Sequence, residues 1–324
     1  MTPVTQTTPP QATTSPRLMI VDSATLYYRA FYALPETMTA PDGTAHNAIR
    51  GFCEFLNRLV TTYRPAGLIC AWDSDWRPHF RVQAWPAYKA HRIAEDGTEA
   101  EPDTLSPQVE GLAEILDAMG VCRLGHDDFE ADDVIATAAA FTQSLGYTGA
   151  DIVTSDRDLL QCVDDAADVV LLSIAKGISN IERLDDGAIM VKYGVRADQY
   201  RDYATMRGDA SDGLPGVPGI GAKTAASLLA EYSNLDGIRR AAADPTSPMK
   251  PAVRKRLLEA EPTLDALVHV STAVVNVPLG EVWPDLPLQV HDTEELRRCS
   301  ERWGVVHAVR TLTANLQSTG TPAQ

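Results

Sequence analysis

The stretch DFEADDVIATAAAF, residues 128–141, places Asp128, Glu130, Asp132 and Asp133 at the start of an apolar helical pattern. Acids suit a helix N-terminus, where unbonded N–H groups and the macrodipole favour negative charge. That accounts for one or two of them. Similar groups recur: RGDASDG carries Asp209 and Asp212, and three short apolar runs close on aspartates, RLMIVD on Asp22, GLICAWD on Asp73 and ADIVTSDRD on Asp156 and Asp158. Taken singly, each acid reads more simply as a cap or a surface residue. Together, Asp22, Asp73, Glu130, Asp132, Asp133, Asp156, Asp158, Asp209 and Asp212 are nine carboxylates at strand ends and helix starts that a folded sheet would gather. Without counter-charge they cannot all remain ionised in a low dielectric. Divalent cations resolve that conflict. Oxygen ligands without Cys or His select Mg2+ or Mn2+, and Mg2+ takes only one or two carboxylates while keeping waters. Nine acids suffice for two ions, with others left for outer water contacts or a weaker third ion. Two ions about 3.5–4 Å apart activate a water and stabilise the leaving oxygen in phosphodiester hydrolysis. At about 100° per residue, Glu130 and Asp133 share a helix face while Asp132 points away from Glu130, so one of the three is expected to act through water or to stand outside the direct ligands.

The elements that must position these acids form an α/β pattern. RLMIVD and GLICAWD flank the helical NAIRGFCEFLNRLVTTY, a βαβ unit with parallel strands; the runs at 150–158 and 169–174 supply further strands. A sheet covered on both faces binds ligands beyond the carboxyl ends of its strands, where Asp22, Asp73, Asp156 and Asp158 emerge. After residue 190 the pattern turns to helices and tight turns: ADQYRDYATMRGD, the turn GLPGVPGIG, then AKTAASLLAEY, with helical segments and Pro-rich loops to 312. No internal repeat is present.

Composition sets the outer bounds. The chain has 324 residues, 44% hydrophobic and 22% charged, enough for a substantial core. No apolar run is long enough to span a bilayer, and MTPVTQTTPPQATTSP lacks the basic and apolar regions of a signal peptide; its Thr/Pro-rich composition leads to the expectation of a disordered tail over residues 1–16. Five scattered cysteines, never spaced C-x-x-C, read as reduced thiols of a cytoplasmic protein. A net charge of −16 argues against a nucleic-acid partner, yet its distribution argues otherwise. RPHFRVQAWPAYKAHR carries Arg77, Arg81, Lys89 and Arg92 with no acid, interleaved with Phe80, Trp85 and Tyr88; KPAVRKR, residues 250–256, is a second acid-free run. One such run is usually a solvated face. Two in so acidic a chain point to an anionic partner. The stretch that follows the first, IAEDGTEAEPDTLSP, looks solvated and mobile.

LPGVPGIGAKTAASLL sets Gly216, Gly219 and Gly221 in a tight connection between helices, followed by Lys223 and Thr224. Glycines admit close approach of a phosphate, and the free N–H groups of the next helix bind it. No strand precedes the turn, so Rossmann and P-loop readings fail. A helix-hairpin-helix that grips a DNA backbone without reading bases fits better; a plain glycine-rich turn is the alternative.

IVDSATLYYRAFYAL, AWDSD, HFRVQAWPAYKAHR, FEADDVIAT, TSDRDLLQ and RGDASDGLPGVPGIGAKTA, in order from about residue 17 to 232, resemble the bacterial 5′-3′ exonuclease and flap endonuclease family, as in the N-terminal domain of DNA polymerase I. The resemblance implies a mostly parallel PIN-like sheet flanked by helices (17–190), a helical arch at about 77–107, a helical DNA-binding region with a helix-hairpin-helix (191–312), and a tail from 313. It implies metal-dependent cleavage near 5′ ends and at the base of 5′ flaps, in replication and repair. Asp22, Asp73, Glu130, Asp132 and Asp133 would serve one metal region; Asp156, Asp158, Asp209 and Asp212 the other. Lys89 would contact the reacting phosphate from the arch, with Tyr88 and Arg92 beside it, and Arg29 a substrate phosphate. The hairpin would also hold a monovalent cation, K+. A monomer with a functional link to DNA polymerase I and ligase is expected. Gly213 stands where many relatives have Asn, which implies a looser loop around Asp212. Two other readings compete: a PIN-type ribonuclease, disfavoured by the hairpin and the basic arch, and a junction-binding paralogue without catalysis, disfavoured by the intact acids.

Overall fold

A computed structural model describes residues 15–95, 97 and 99–319. In chain order its elements are β1 (Arg17–Asp22), α1 (Ser23–Ala33), α2 (Asn47–Tyr63), β2 (Gly67–Ala71), α3 (His79–Ala84), α4 (Ser106–Met119), β3 (Cys122–Leu124), α5 (Ala131–Ala140), β4 (Gly149–Thr154), β5 (Val169–Ser173), β6 (Glu182–Leu184), α6 (Asp186–Tyr193), α7 (Ala197–Arg207), α8 (Ala222–Tyr232), α9 (Leu235–Ala243), α10 (Pro251–Ser271), α11 (Thr293–Arg302) and α12 (Val306–Ser318). The strands lie in the order β3-β2-β1-β4-β5-β6, parallel throughout except for the antiparallel edge strand β6.

Alternation within the strands divides the core between the two faces of the sheet. Leu18, Ile20, Ile69, Ile152 and Leu171 face one cluster, shared with Val134, Tyr200, Leu229 and Leu264 from α5, α7, α8 and α10. Met19, Val21, Leu68, Val153 and Leu172 face the other, shared with Leu26, Phe52, Leu112, Leu296 and Leu312 from α1, α2, α4, α11 and α12. From β1 the chain builds β2 and β3 to one side and then crosses to β4 on the other, so the strand order reverses between β1 and β4. That reversal opens a crevice at the carboxyl ends of the two strands, the place where α/β sheets bind ligands. Asp22 ends β1, and Asp156 follows β4 by two residues.

Some boundaries differ from expectation. Helix α12 runs to Ser318 and buries Leu316, because its apolar stripe continues past residue 313, where a tail was expected. Helix α6 crosses residue 190, and α4 begins at Ser106, inside the expected arch. Residues 1–14 of the expected N-terminal tail lie outside the described residues; Pro16 is tied down, its carbonyl accepting from the Thr148 N–H at 2.8 Å. No described helix is long and apolar enough to cross a membrane.

Candidate active site

Asp22 is buried, and it is fixed from two sides. The Thr25 N–H donates to its Oδ1 at 3.0 Å, which caps α1, and the Thr154 hydroxyl at the end of β4 donates to its Oδ2 at 2.6 Å. Asp73, two residues beyond β2, accepts from the Ala131 N–H at 3.1 Å and so braces the start of α5. The last residue before α5 is Glu130. Beyond β4, the Asp156 N–H donates to Thr154 Oγ1 at 2.9 Å, and the Asp158 N–H to Asp156 Oδ1 at 2.7 Å, a tight turn that presents both acids. Asp22, Asp73, Glu130, Asp132 and Asp156 line one open cavity of about 600 Å³ together with Arg29, Lys89 and Arg92. Asp158 and Asp212 line an adjoining crevice that Glu130 and Asp132 also reach.

Crowding shows in the acidities. Burial, then Glu130, push Asp73 up to about 7. Desolvation in the cleft, with Asp22 and Asp212, brings the solvent-open Asp156 up to about 6 against the relief of its hydrogen bond from Asp158, and burial with Asp156, Asp212 and Asp209 brings Asp158 up to about 8. Asp132 is pushed well above the carboxylate range by burial, Asp156, Asp22 and Glu130. Asp209 differs: burial pushes it up, but Ser211 and the guanidinium groups of Arg207 and Arg157, each 3.4 Å away, hold it below the usual range. Among the described residues no three His, Cys, Asp or Glu side chains are drawn close enough to enclose an ion. The donor set nevertheless fits a hard cation. It is all carboxylate oxygen, Asp73, Asp132, Asp156 and Asp158 among its members are raised by crowding, and Asp158 Oδ1 is buried without a hydrogen-bond partner among the described residues.

The basic segment after β2 folds down onto the acids. Lys89 sits in a left-handed backbone conformation, φ 48°, which costs a non-glycine residue about 1–2 kcal/mol. Its Nζ donates to Glu130 Oε2 at 2.7 Å and to the Trp76 carbonyl at 3.1 Å. Burial alone would lower its pKa; Glu130, Asp212 and Asp73 outweigh that and raise it, so the ammonium stays charged. Arg92 bonds the Ser211 carbonyl at 2.8 Å and Asp212 at 3.1 Å. Arg29 lines the cavity with its Nε buried and unpartnered among the described residues.

Three residues expected to touch DNA turn inward instead. Arg81 is buried and grips Asp133 with both ends of its fork, 2.7 Å each. Asp133 also accepts from the Val274 N–H at 2.8 Å and is fully buried, so its oxygens are occupied by protein and it is withdrawn from the proposed ligand set. Tyr88 is buried, its hydroxyl donating to Glu130 at 2.8 Å. Arg77 braces the turn through the carbonyls of Tyr88 at 2.6 Å and Pro86 at 2.8 Å. For Arg81 the cause is a carboxylate from a distant segment, since a buried charge must be paired; Tyr88 gives its buried hydroxyl to Glu130, and Arg77 is spent on carbonyls of its own run.

The loop around Asp212 is pinned, contrary to the looser loop implied by Gly213. Trp85 Nε1 donates to the Gly213 carbonyl at 3.0 Å and the Lys89 N–H to the Asp212 carbonyl at 3.0 Å. Gly213 has φ 72°, and a Cβ there would lie 2.5 Å from the Ala87 carbonyl oxygen, so close packing against the basic segment requires glycine. Sequence reasoning missed Glu99, which lines the cavity 3.9 Å from Arg92 and is raised by burial and Glu101. No signal marked it, since it lies in the stretch that read as solvated. Tyr28 and Tyr32 also line the cavity, their rings stacked at 6.5 Å; the run of aromatics on α1 carried that signal. Away from the cavity, Gly216, Gly219 and Gly221 form the turn between α7 and α8, with Lys223 exposed and Thr224 half-buried in the first turn of α8.

The fold and the gathered acids define a nuclease of the resolvase-like α/β class. Residues 17–194 match the 5′-3′ exonuclease N-terminal resolvase-like domain, and residues 195–294 match the 5′-3′ exonuclease C-terminal SAM fold. A 5′-3′ exonuclease of Streptomyces coelicolor is 47% identical over 92% of this chain and 99% of its own length. DNA polymerase I of Mycobacterium bovis is 37% identical over 91% of this chain but only 31% of its own length. The bacteriophage T5 flap endonuclease, solved as a pseudo-enzyme-product complex with DNA and metal ions, shares the fold with a TM-score of 0.61 at 17% identity, over 94% of this chain and 98% of that one. The chain belongs to the 5′-3′ exonuclease family.

Proposed function

We propose that this 5′-3′ exonuclease hydrolyses DNA phosphodiesters at 5′ ends and at the base of 5′ flaps with the help of bound divalent cations. The observation that carries the reading is the cavity in which Asp22, Asp73, Glu130, Asp132 and Asp156 face Lys89, Arg92 and Arg29 at the switch point of the sheet. Those five acids, with Asp158, Asp209 and Asp212 beside them, would hold two Mg2+ or Mn2+ ions and leave donors for a weaker third. Bound there, the ions supply an activated water and stabilise the leaving oxygen.

The chain's own groups do the rest. Thr25 and Thr154 fix the Asp22 carboxylate, and the turn after β4 fixes Asp156, so the donors are set before substrate arrives. Lys89 and Arg92 hold charged donors at the cavity wall for the non-bridging oxygens of the reacting phosphate, where added charge develops during cleavage. In the free protein these donors are engaged with Glu130 and Asp212, so binding of cation and phosphate exchanges one set of ion pairs for another. Arg29 would bind a neighbouring phosphate, and the hairpin with Lys223 and Thr224 would grip the duplex backbone and hold a K+ ion. A cytoplasmic monomer acting on the same intermediates as DNA polymerase I and ligase fits this chemistry. The test is cleavage of a labelled 5′-flap duplex with Mg2+, Mn2+ or EDTA. Cleavage near the junction with either metal and none in EDTA is expected; full activity in EDTA overturns the metal assignment.

A further inference from the structure

The hairpin is braced by a residue from a distant helix. Arg256 on α10 donates from Nη1 to the Gly219 carbonyl at 2.7 Å, and its guanidinium lies against the glycine: a Cβ at Gly219 would come within 2.8 Å of Arg256 Cζ and 2.9 Å of Nε. With φ 79°, Gly219 disfavours a side chain on backbone grounds, and any side chain there would have to push the Arg256 guanidinium aside. The hydrogen bond fixes the peptide plane just ahead of Gly221, the residue that opens α8.

The surroundings distinguish Arg256 from the other cations of its run. Arg254 turns inward to the Pro245 carbonyl at 3.1 Å and Ser247 at 2.7 Å, and Lys255 pairs with Glu259 at 3.8 Å. Arg256 is exposed and has no carboxylate partner among the described residues, and the same holds for Lys223 and Lys250, which line one groove of about 340 Å³ between α8 and the start of α10. In a chain with 44 acids against 28 Lys and Arg, Arg256 against Gly219 and Lys223 in the first turn of α8 are two cations without a carboxylate partner beside the hairpin, although Glu231 lines the groove that Lys223 shares with Lys250. A guanidinium has five donors, and only one is spent on Gly219.

We infer that Arg256 is a positioning residue of the hairpin and shares its phosphate: it holds the turn in its binding conformation through Gly219 and adds a charged contact to the DNA backbone gripped there. This rests on the nuclease reading above. The experiment measures binding of a 5′-flap duplex with Ca2+ replacing Mg2+, over a range of salt, for the parent, Arg256→Ala, Arg256→Lys, Lys255→Ala and Lys223→Ala, alongside single-turnover cleavage at saturating enzyme. Arg256→Ala is expected to weaken binding about tenfold and to lower the salt slope by about 1, the loss of one phosphate contact with its seat. Its saturated single-turnover rate should remain within about twofold of the parent, because the contact is made equally in ground and transition states. Arg256→Lys should recover the slope but not the full affinity, since an ammonium keeps the charge and loses the planar fit against Gly219. Lys255→Ala removes the same charge one residue away and should weaken binding less. Parental affinity in Arg256→Ala, or an equal loss in Lys255→Ala, overturns the inference. If Lys223→Ala also binds like the parent while flaps are still cut, the hairpin is no grip and the inference falls while the nuclease reading stands. A parent that neither binds nor cuts flap DNA overturns both.

Discussion

Lys89 enters the site already engaged. Its ammonium is held by Glu130, its backbone is left-handed, and its N–H is tied to the Asp212 loop, so any phosphate it meets must compete with a buried carboxylate. On the proposed reading, such a contact would form fully only once cations had taken over Glu130, which would place its value in the transition state. Lys89→Ala is therefore expected to lower single-turnover cleavage by about 100-fold or more while changing flap affinity in Ca2+ far less. A single-turnover rate equal to the parent removes its catalytic role. Asp158 permits a different test, because burial and three neighbouring acids bring it up to about 8 from an ordinary 3.8. The unfolded chain releases that proton at lower pH than the folded one, so the stability contribution is complete below the unfolded value and is lost as pH rises towards about 8. In metal-free protein, Asp158→Asn should melt above the parent near about pH 8 and lose that advantage near about pH 4. A parent-to-variant difference that does not change with pH contradicts the assigned crowding.

At the scale of elements, the Arg81–Asp133 fork joins α3 to α5 and, through the Val274 N–H, to the segment after α10. Removing one member leaves a buried charge alone, so Asp133→Ala should cost about 3–5 kcal/mol in urea unfolding, and Arg81→Met with Asp133→Ala together much less than the sum of the two single changes. If Asp133→Ala is as stable as the parent yet fails to bind Mn2+, the acid is a ligand after all. This pair also shows where sequence stops being informative. Strand ends were legible because short continuous apolar runs closed on aspartates, and the strands stand where that pattern put them, with those aspartates at or just beyond their ends. The hairpin between α7 and α8 was legible from its glycines. What the pattern did not carry was the direction in which a cation turns. Whether Arg81 faces DNA or a carboxylate depends on a residue 52 positions away, and nothing local separates the two outcomes. The same holds for Glu99, hidden in a solvated-looking stretch, and for Asp133, whose helical phase matched Glu130 while its partner came from another element.

On the scale of the whole molecule, a chain of net charge −16 has to bring DNA to its most acidic edge. Several basic residues are already paired with the crowded acids, Arg81 with Asp133, Lys89 with Glu130, and Arg157 and Arg207 with Asp209. On the proposed reading, electrostatic balance at the cavity would depend on bound cations, and the acids that would have to release protons to bind them, Asp73, Asp156 and Asp158, are raised to about 7, 6 and 8. Cation binding to the folded state alone stabilises it, by about 2.7 kcal/mol at a free concentration of about 100 times Kd. Protons compete for the same oxygens, so the gain must grow with pH. Thermal melts of the full chain with and without Mn2+ should show a larger upward shift at about pH 8.5 than at about pH 6, where those carboxylates are still partly protonated in the metal-free fold. Chloride-matched controls with a monovalent salt separate this from general screening, which acts on surface pairs at both pH values. A shift of the same size at both pH values, or none at either, means that the crowded carboxylates are not where the cations bind.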